Sequence, residues 1–298
     1  MNVKPHITFI GAGNMSGSII GGLVNNGYPA SQITASAPTQ VNLEKLASQY
    51  KINISTDNHQ SAANADILVL GVKPQILQAV CMDLAPVLAD KTPLIITIAA
   101  GIETTHIQSW LGKQLPIIRC MPNTPALVAQ GASGLFANNQ VSKEQQQQAD
   151  EIFSAVGITE WVEHEDQMHA ITALSGSGPA YFFLIMEALE DAAVKAGIPR
   201  ENARKLGIQT VLGAAEMAKQ SDLEPAQLKR NVMSPGGTTE RAIQSFEDGG
   251  LRDLFDTAIY AATQRSKELA EILGSKDISK PSSSKPSNSN TPSNEGTK

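Results

Sequence analysis

At 298 residues, 41% apolar and 17% charged, the chain can bury substantial cores and is long enough for two domains. Its 23 Lys and Arg against 29 Asp and Glu leave a net charge of −6, with no basic run longer than a pair, so nucleic acid and anionic membrane surfaces are poor partners. No stretch approaches the roughly 18 apolar residues of a membrane span, and Cys81 and Cys120 stand far apart in apolar surroundings, unlike a disulfide framework.

The N-terminus runs into a strand pattern without a basic segment and long apolar core, so no secretory leader is expected and the cytoplasm is the expected compartment. Two cysteines suit a reducing environment, and a reactive thiol at either position is left open. The partner expected from charge and composition is a small molecule.

In chain order, candidate strands are HITFIG (6–11), ITASA (33–37), INIS (52–55), DILVLGV (66–72), LIITIAA (94–100) and PIIRCM (116–121), with helical segments in most gaps. These runs are too uniformly apolar for a sheet with one wet face; a mostly parallel sheet covered on both sides by helices accounts for them. The fold class expected is α/β, an N-terminal Rossmann-type doubly wound sheet followed by an all-helical domain. The glutamine run 145–148 reads as one solvated face of a helix. After WVEHED, residues 167–274 are helix formers at helical spacing, interrupted at Gly197 with Pro199 and at Gly249–Gly250. The domains are therefore drawn as 1–164, dinucleotide-binding; 165–274, helical, for substrate binding and dimerisation; and 275–298, a tail with one apolar side chain, Ile278, expected to be disordered.

The first motif with chemistry is FIGAGNMSGSI (9–19). Gly11 permits a tight turn off the first strand, Gly13 lets backbone approach a pyrophosphate, and the following helix aims its N–H groups at that anion. Ile10, Gly11, Ala12, Gly13, Asn14 and Met15 are the candidate cradle for a dinucleotide. The third fingerprint position is Ser16, small but neither glycine nor alanine. At the end of the second strand, TASAPTQ (34–40) offers Ser36 and Thr39 and no acid to bind both ribose hydroxyls of NAD, which favours NADPH while leaving NADH admissible.

Further strand ends carry GVKP (71–74), IAAGI (98–102) and RCMPNTP (119–125). In an open parallel sheet ligands lie outside these carboxyl ends, which makes Lys73, Pro74 and Asn123 candidates near the cofactor. Glu165 and His169 stand one helical turn apart, a spacing that could hold a metal, but an acidic helix start is the plainer account and no metal is expected.

NVMSPGGTTERAI (231–243) breaks the helical run with Pro235 and two glycines, and TTERAIQSFED restarts it. The N–H groups of Gly237, Thr238 and Thr239 are expected to converge at a helix N-terminus, where a carboxylate is favoured. With S-P-G-G-x-T at 234–239, and GAGNM, VKP, AAG, MPNTP and GSGPAY (176–181) in the same order, residues 6 to about 270 resemble pyrroline-5-carboxylate reductases. The resemblance implies NAD(P)H-dependent reduction of 1-pyrroline-5-carboxylate to L-proline, and helices that interlock with a partner subunit in a homodimer or larger oligomer. By position it implies that Ser234, Gly237 and Thr238 meet the substrate carboxylate and that the catalytic Thr239 hydroxyl meets the ring nitrogen. Asn231 and Glu165 would lie near the substrate, and Asn58, Val72, Lys73, Ala99 and Ala100 would line the cofactor. Ser16 and Ala37 depart from the family pattern, the latter weakening the NADPH preference. Two other classes stay open at this point. A two-domain hydroxyacid dehydrogenase would need an inward lysine early in the helical domain, which LSGSGPAYFFLIMEAL lacks, and a non-catalytic sensor would bind the dinucleotide without turnover.

Overall fold

The computed structural model describes residues 4–274; the expected disorder of 275–298 lies outside them. Eight strands form one sheet: β1 (Ile7–Ile10), β2 (Ile33–Ser36), β3 (Asn53–Ser55), β4 (Ile67–Leu70), β5 (Leu94–Thr97), β6 (Ile117–Met121), β7 (Gly131–Ala137) and β8 (Gly157–Trp161). Their order is β3-β2-β1-β4-β5-β6-β7-β8, and every neighbouring pair is parallel except β6 with β7. The six expected strands are present, each shorter than its apolar run. Strands β7 and β8 add to them without an apolar run of their own: GASGLFA is mostly small residues, and β8 alternates between half-buried and exposed.

Each inner strand sends alternate side chains to opposite faces, and both faces are dry. On one, Ile7, Phe9, Ile67, Val69 and Ile96 pack against Ile19, Ile20 and Leu23 of α1 (Asn14–Asn25), Leu43 of α2 (Gln40–Tyr50), and Ile152 and Phe153 of α6 (Lys143–Ser154). On the other, Ile10, Leu68, Leu70, Ile95 and Ile117 meet Leu77 and Cys81 of α4 (Pro74–Leu84) and Ile107 and Leu111 of α5 (Thr104–Leu111). Burial on both sides is why these strands read as continuous apolar runs. The glutamine run lies in α6, where Gln145 and Ser142 form a capping box that fixes the helix start.

Beyond the sheet come α7 (Gln167–Ile171), a π-helical turn (Thr172–Gly176), α8 (Gly178–Lys195), α9 (Arg200–Gln220), α10 (Pro225–Val232), α11 (Thr238–Asp248) and α12 (Leu251–Gly274). The expected breaks fall between α8 and α9 and between α11 and α12, where Gly197 and Gly250 have φ of 98° and 74°. Helix α12 returns to the sheet domain: Ala270 and Leu273 are buried, and Leu269, Ala270 and Leu273 pack around Gly101. Helices α8 to α11 differ sharply. They carry Phe182, Phe183, Leu184, Leu206, Leu212 and Met217 exposed, and from 178 to 248 the buried residues are Gly178 and Ala203. An apolar stripe of this size without a core in its own chain is half of a packing surface.

Candidate active site

Two concentrations of backbone donors define the site region. The first lies where the strand order reverses, between the carboxyl ends of β1 and β4, the switch point of a doubly wound sheet. Gly11 leaves β1 with φ 104°, its N–H donating to Ser36 O at 2.8 Å, and a Cβ there would sit 2.7 Å from the Gly71 carbonyl. Gly13 caps α1 with extended backbone, has no side-chain cap, and faces open space. Ala12, Asn14 and Met15 complete the rim, each exposed or half-buried, while Ile10 anchors the strand end in the core. A turn at Gly11 that only glycine permits, with an uncapped helix start above it, fits a dinucleotide's phosphates.

The other predicted contacts surround this notch. Buried Ser36 donates through Oγ to Asn58 Oδ1 at 2.7 Å, so these residues of β2 and α3 (Asn58–Ala63) are brought together and the serine hydroxyl already has a partner. Val72 and exposed Lys73 follow β4, with Lys73 the N-cap and Pro74 the first residue of α4. Ala99 is buried and Ala100 exposed just beyond β5. Asn123 is turned to a different use: Oδ1 accepts from the Ala132 N–H at 2.9 Å and Nδ2 donates to Ser175 O at 3.0 Å. The amide thereby ties the turn after β6 to the π-helical turn, a local geometry that often marks functional sites.

The second concentration is the bend between α10 and α11. Pro235 and Gly236, with φ 72° at the glycine, make a type II turn closed by the Gly237 N–H donating to Ser234 O at 2.9 Å. This departs from the expectation that the Gly237 N–H points outward, and it explains Pro-Gly by turn geometry alone. The Gly236 N–H is held by Glu240 Oε2 at 2.7 Å. Left at the start of α11 are Thr238 and Thr239, whose hydroxyls have no hydrogen-bond partner among the described residues and whose helix has no side-chain cap. Ser234 and Asn231 are both exposed, Asn231 Oδ1 accepting from Gln227 Nε2. Among the described residues no hydrogen bond or ion pair joins 231–239 to the sheet domain.

Glu165 has three donors from its own chain: the Thr104 N–H and hydroxyl, each at 2.7 Å, and Arg119 Nη1 at 3.2 Å. Arg119, on β6, is 3% exposed. His169 is buried nearby, Nδ1 2.9 Å from Ser266 Oγ on α12. Burial first, and then the Arg119 charge, hold its pKa below the usual histidine value. Glu165 and His169 thus turn to different partners, and no cluster of three metal-ligating side chains occurs among the described residues. Burial pushes the Cys81 thiol up to about 12 and that of Cys120 well above its usual value, so neither is a nucleophile in the fold. Sequence reasoning misses the Arg119–Glu165–Thr104 cluster; the one signal for it is an arginine inside the apolar strand PIIRCM.

Known proteins share both halves. Residues 165–269 match the family model described as pyrroline-5-carboxylate reductase dimerisation, and residues 6–101 match one described as NADP oxidoreductase, coenzyme F420-dependent. A Pseudomonas aeruginosa pyrroline-5-carboxylate reductase is 54% identical over 91% of this chain and 98% of its own length. The chain belongs to the pyrroline-5-carboxylate reductase family. The solved structure of the Coxiella burnetii reductase is 47% identical and superimposes with a TM-score of 0.87, covering 90% of this chain and 99% of that one. The Plasmodium falciparum family member, solved with NADP bound, is 32% identical with a TM-score of 0.78 over 90% and 98% of the two chains. The hydroxyacid dehydrogenase and sensor alternatives yield to this membership. No described helix is long and apolar enough to cross a membrane.

Proposed function

We propose that the chain reduces the C=N bond of 1-pyrroline-5-carboxylate to L-proline, the last step of proline biosynthesis, using a nicotinamide dinucleotide. The observation that carries the site assignment is the start of α11, where two hydroxyls and the uncapped N–H groups have no partner among the described residues and suit a small carboxylate. Ser234 and Thr238 hold that carboxylate, with Gly237 allowing the turn to close: a side chain there would meet Ser234 O. Asn231, on α10 just before the bend, lies near the same ligand.

When bound, the reduced nicotinamide supplies a hydride to the imine carbon. The cradle from Ile10 to Met15 holds its diphosphate, while Ser36 and Asn58, Val72 to Pro74, and Ala99 and Ala100 line the path of the rest. Asn123 acts by fixing the turn beside them, and Glu165 acts through Arg119 and Thr104, which it holds in the fold. A cyclic imine accepts hydride most readily when its nitrogen is protonated, and that proton comes with the substrate from water. The chain's work is to fix the carboxylate and orient the nitrogen through the Thr239 hydroxyl, so positioning takes the place of a strong acid or base.

One chain holds two half-sites. The exposed apolar face of α8 and α9 calls for a second copy, and the homo-oligomer so formed gives the start of α11 a nucleotide cradle to face. We divide the chain at 164/165 on this basis. The lack of an acid at the end of β2 supports NADPH over NADH. Two free, buried thiols support a reducing, cytoplasmic setting.

Thr239→Ala tests the assignment. Turnover with 1-pyrroline-5-carboxylate is expected to fall by about 100- to 1000-fold, the scale of one well-placed donor, with NADPH affinity intact. Unchanged kcat and KM would remove Thr239 from the mechanism.

A further inference from the structure

Among the described residues, two buried side-chain atoms lack a hydrogen-bond partner: Ser16 Oγ and His106 Nδ1. His106 stacks on Trp110. Ser16 is different. It is 1% exposed and stands at the third glycine position of the fingerprint, where glycine or alanine would pack equally well and leave no polar atom unsatisfied.

Its location says what the hydroxyl is for. Ser16 is the third residue of α1, and Cα–Cβ bonds on a helix tilt toward the N-terminus, here the uncapped end at Gly13. Oγ lies against Gly71 so closely that a side chain on that glycine would collide with it, and the same side chain would approach Gly11 O at 3.3 Å. The hydroxyl therefore sits between the start of α1 and the ends of β1 and β4, against Gly71.

We propose that Ser16 is a cofactor-binding residue whose hydroxyl donates a hydrogen bond to a diphosphate oxygen of the dinucleotide, adding a side-chain donor to the N–H groups of α1. A charged acceptor is the partner that best compensates a buried hydroxyl, and the positive end of the α1 dipole favours an anion there. The assignment rests on the reading that the notch takes a dinucleotide.

Ser16→Ala in the full chain, titrated with NADPH and NADH by nicotinamide fluorescence without substrate, tests it independently of activity. Both dissociation constants are expected to rise by about tenfold, since both nucleotides share the diphosphate. Thermal unfolding without nucleotide is expected at the wild-type midpoint or above it, because the unsatisfied hydroxyl is gone. Affinities within about twofold of wild type, or a free variant that unfolds several degrees lower, would overturn the assignment, the latter by revealing an internal partner. Wild type failing to bind either nucleotide would sink the dinucleotide reading too; wild-type binding matched by the variant sinks the Ser16 role alone.

Discussion

Glu165→Ala separates two roles for one carboxylate, scaffold and substrate ligand. In the fold it neutralises Arg119 and satisfies both donors of Thr104. Removing it strands a guanidinium that is 3% exposed. Breaking a buried ion pair costs about 3–5 kcal/mol, and the 20% exposure of the Glu165 side chain places this case near the lower value. At ~2–4 °C per kcal/mol for a domain of this size, the melting midpoint should fall by roughly 6–12 °C. Circular dichroism melts measure this, and kinetics run where every variant is folded measure the substrate side. The double variant Arg119→Met with Glu165→Leu should recover part of the loss, because replacing both partners of a buried pair by apolar groups is neutral to stabilising, while the donors of Thr104 stay unpaired. A midpoint within about 1 °C of wild type together with a KM raised about tenfold would refute the reasoning and return the carboxylate to the substrate.

His169 predicts a pH dependence. Its pKa is lowered in the fold, by burial and then by Arg119, with Lys267 acting the same way and Asp166 and Glu103 opposing, so the unfolded state binds the extra proton. Stability is therefore fully present above the ordinary value of 6.5 and is lost as pH falls from there through the folded pKa; urea midpoints across that range should drop, and His169→Gln should flatten the slope. A slope unchanged in that variant would assign the loss elsewhere. The exposed stripe makes a prediction of its own: Leu212→Asp and Phe183→Asp, on α9 and α8, should shift the mass by light scattering to that of one chain and abolish turnover. Retention of the wild-type mass by both would show that this face is not where copies meet.

The inner sheet and its glycine turn are legible in residue order alone. The six apolar runs are strands because burial on both faces leaves no room for polar alternation, and Gly11 makes a left-handed turn because no other residue could approach Gly71 so closely. Strands β7 and β8 leave no such mark, because their stability comes from pairing at one end of a sheet already built, which composition does not encode. The bend at 234–239 is recognisable as a donor cluster, but its hydrogen-bond directions are not: whether the Gly237 N–H points outward or closes a turn depends on the φ of Gly236. Asn123 and Ser36 show the same limit. Each stands at a strand end where a ligand contact is expected, yet each side chain is committed to a partner more than 20 residues away in sequence, Ser175 and Asn58 respectively.

Local chain chemistry by itself determined the strand runs, the glycine turn, the helix starts and the family, because these follow from residue type and short-range spacing. The folded chain alone decided which polar atoms are free. It spends Glu165 on Arg119 and Asn123 on the π-helical turn, and it leaves Ser16 and the two threonines of α11 without partners among the described residues. Hydrogen bonds are satisfied by whatever packing brings within about 3 Å, and that is a property of three dimensions.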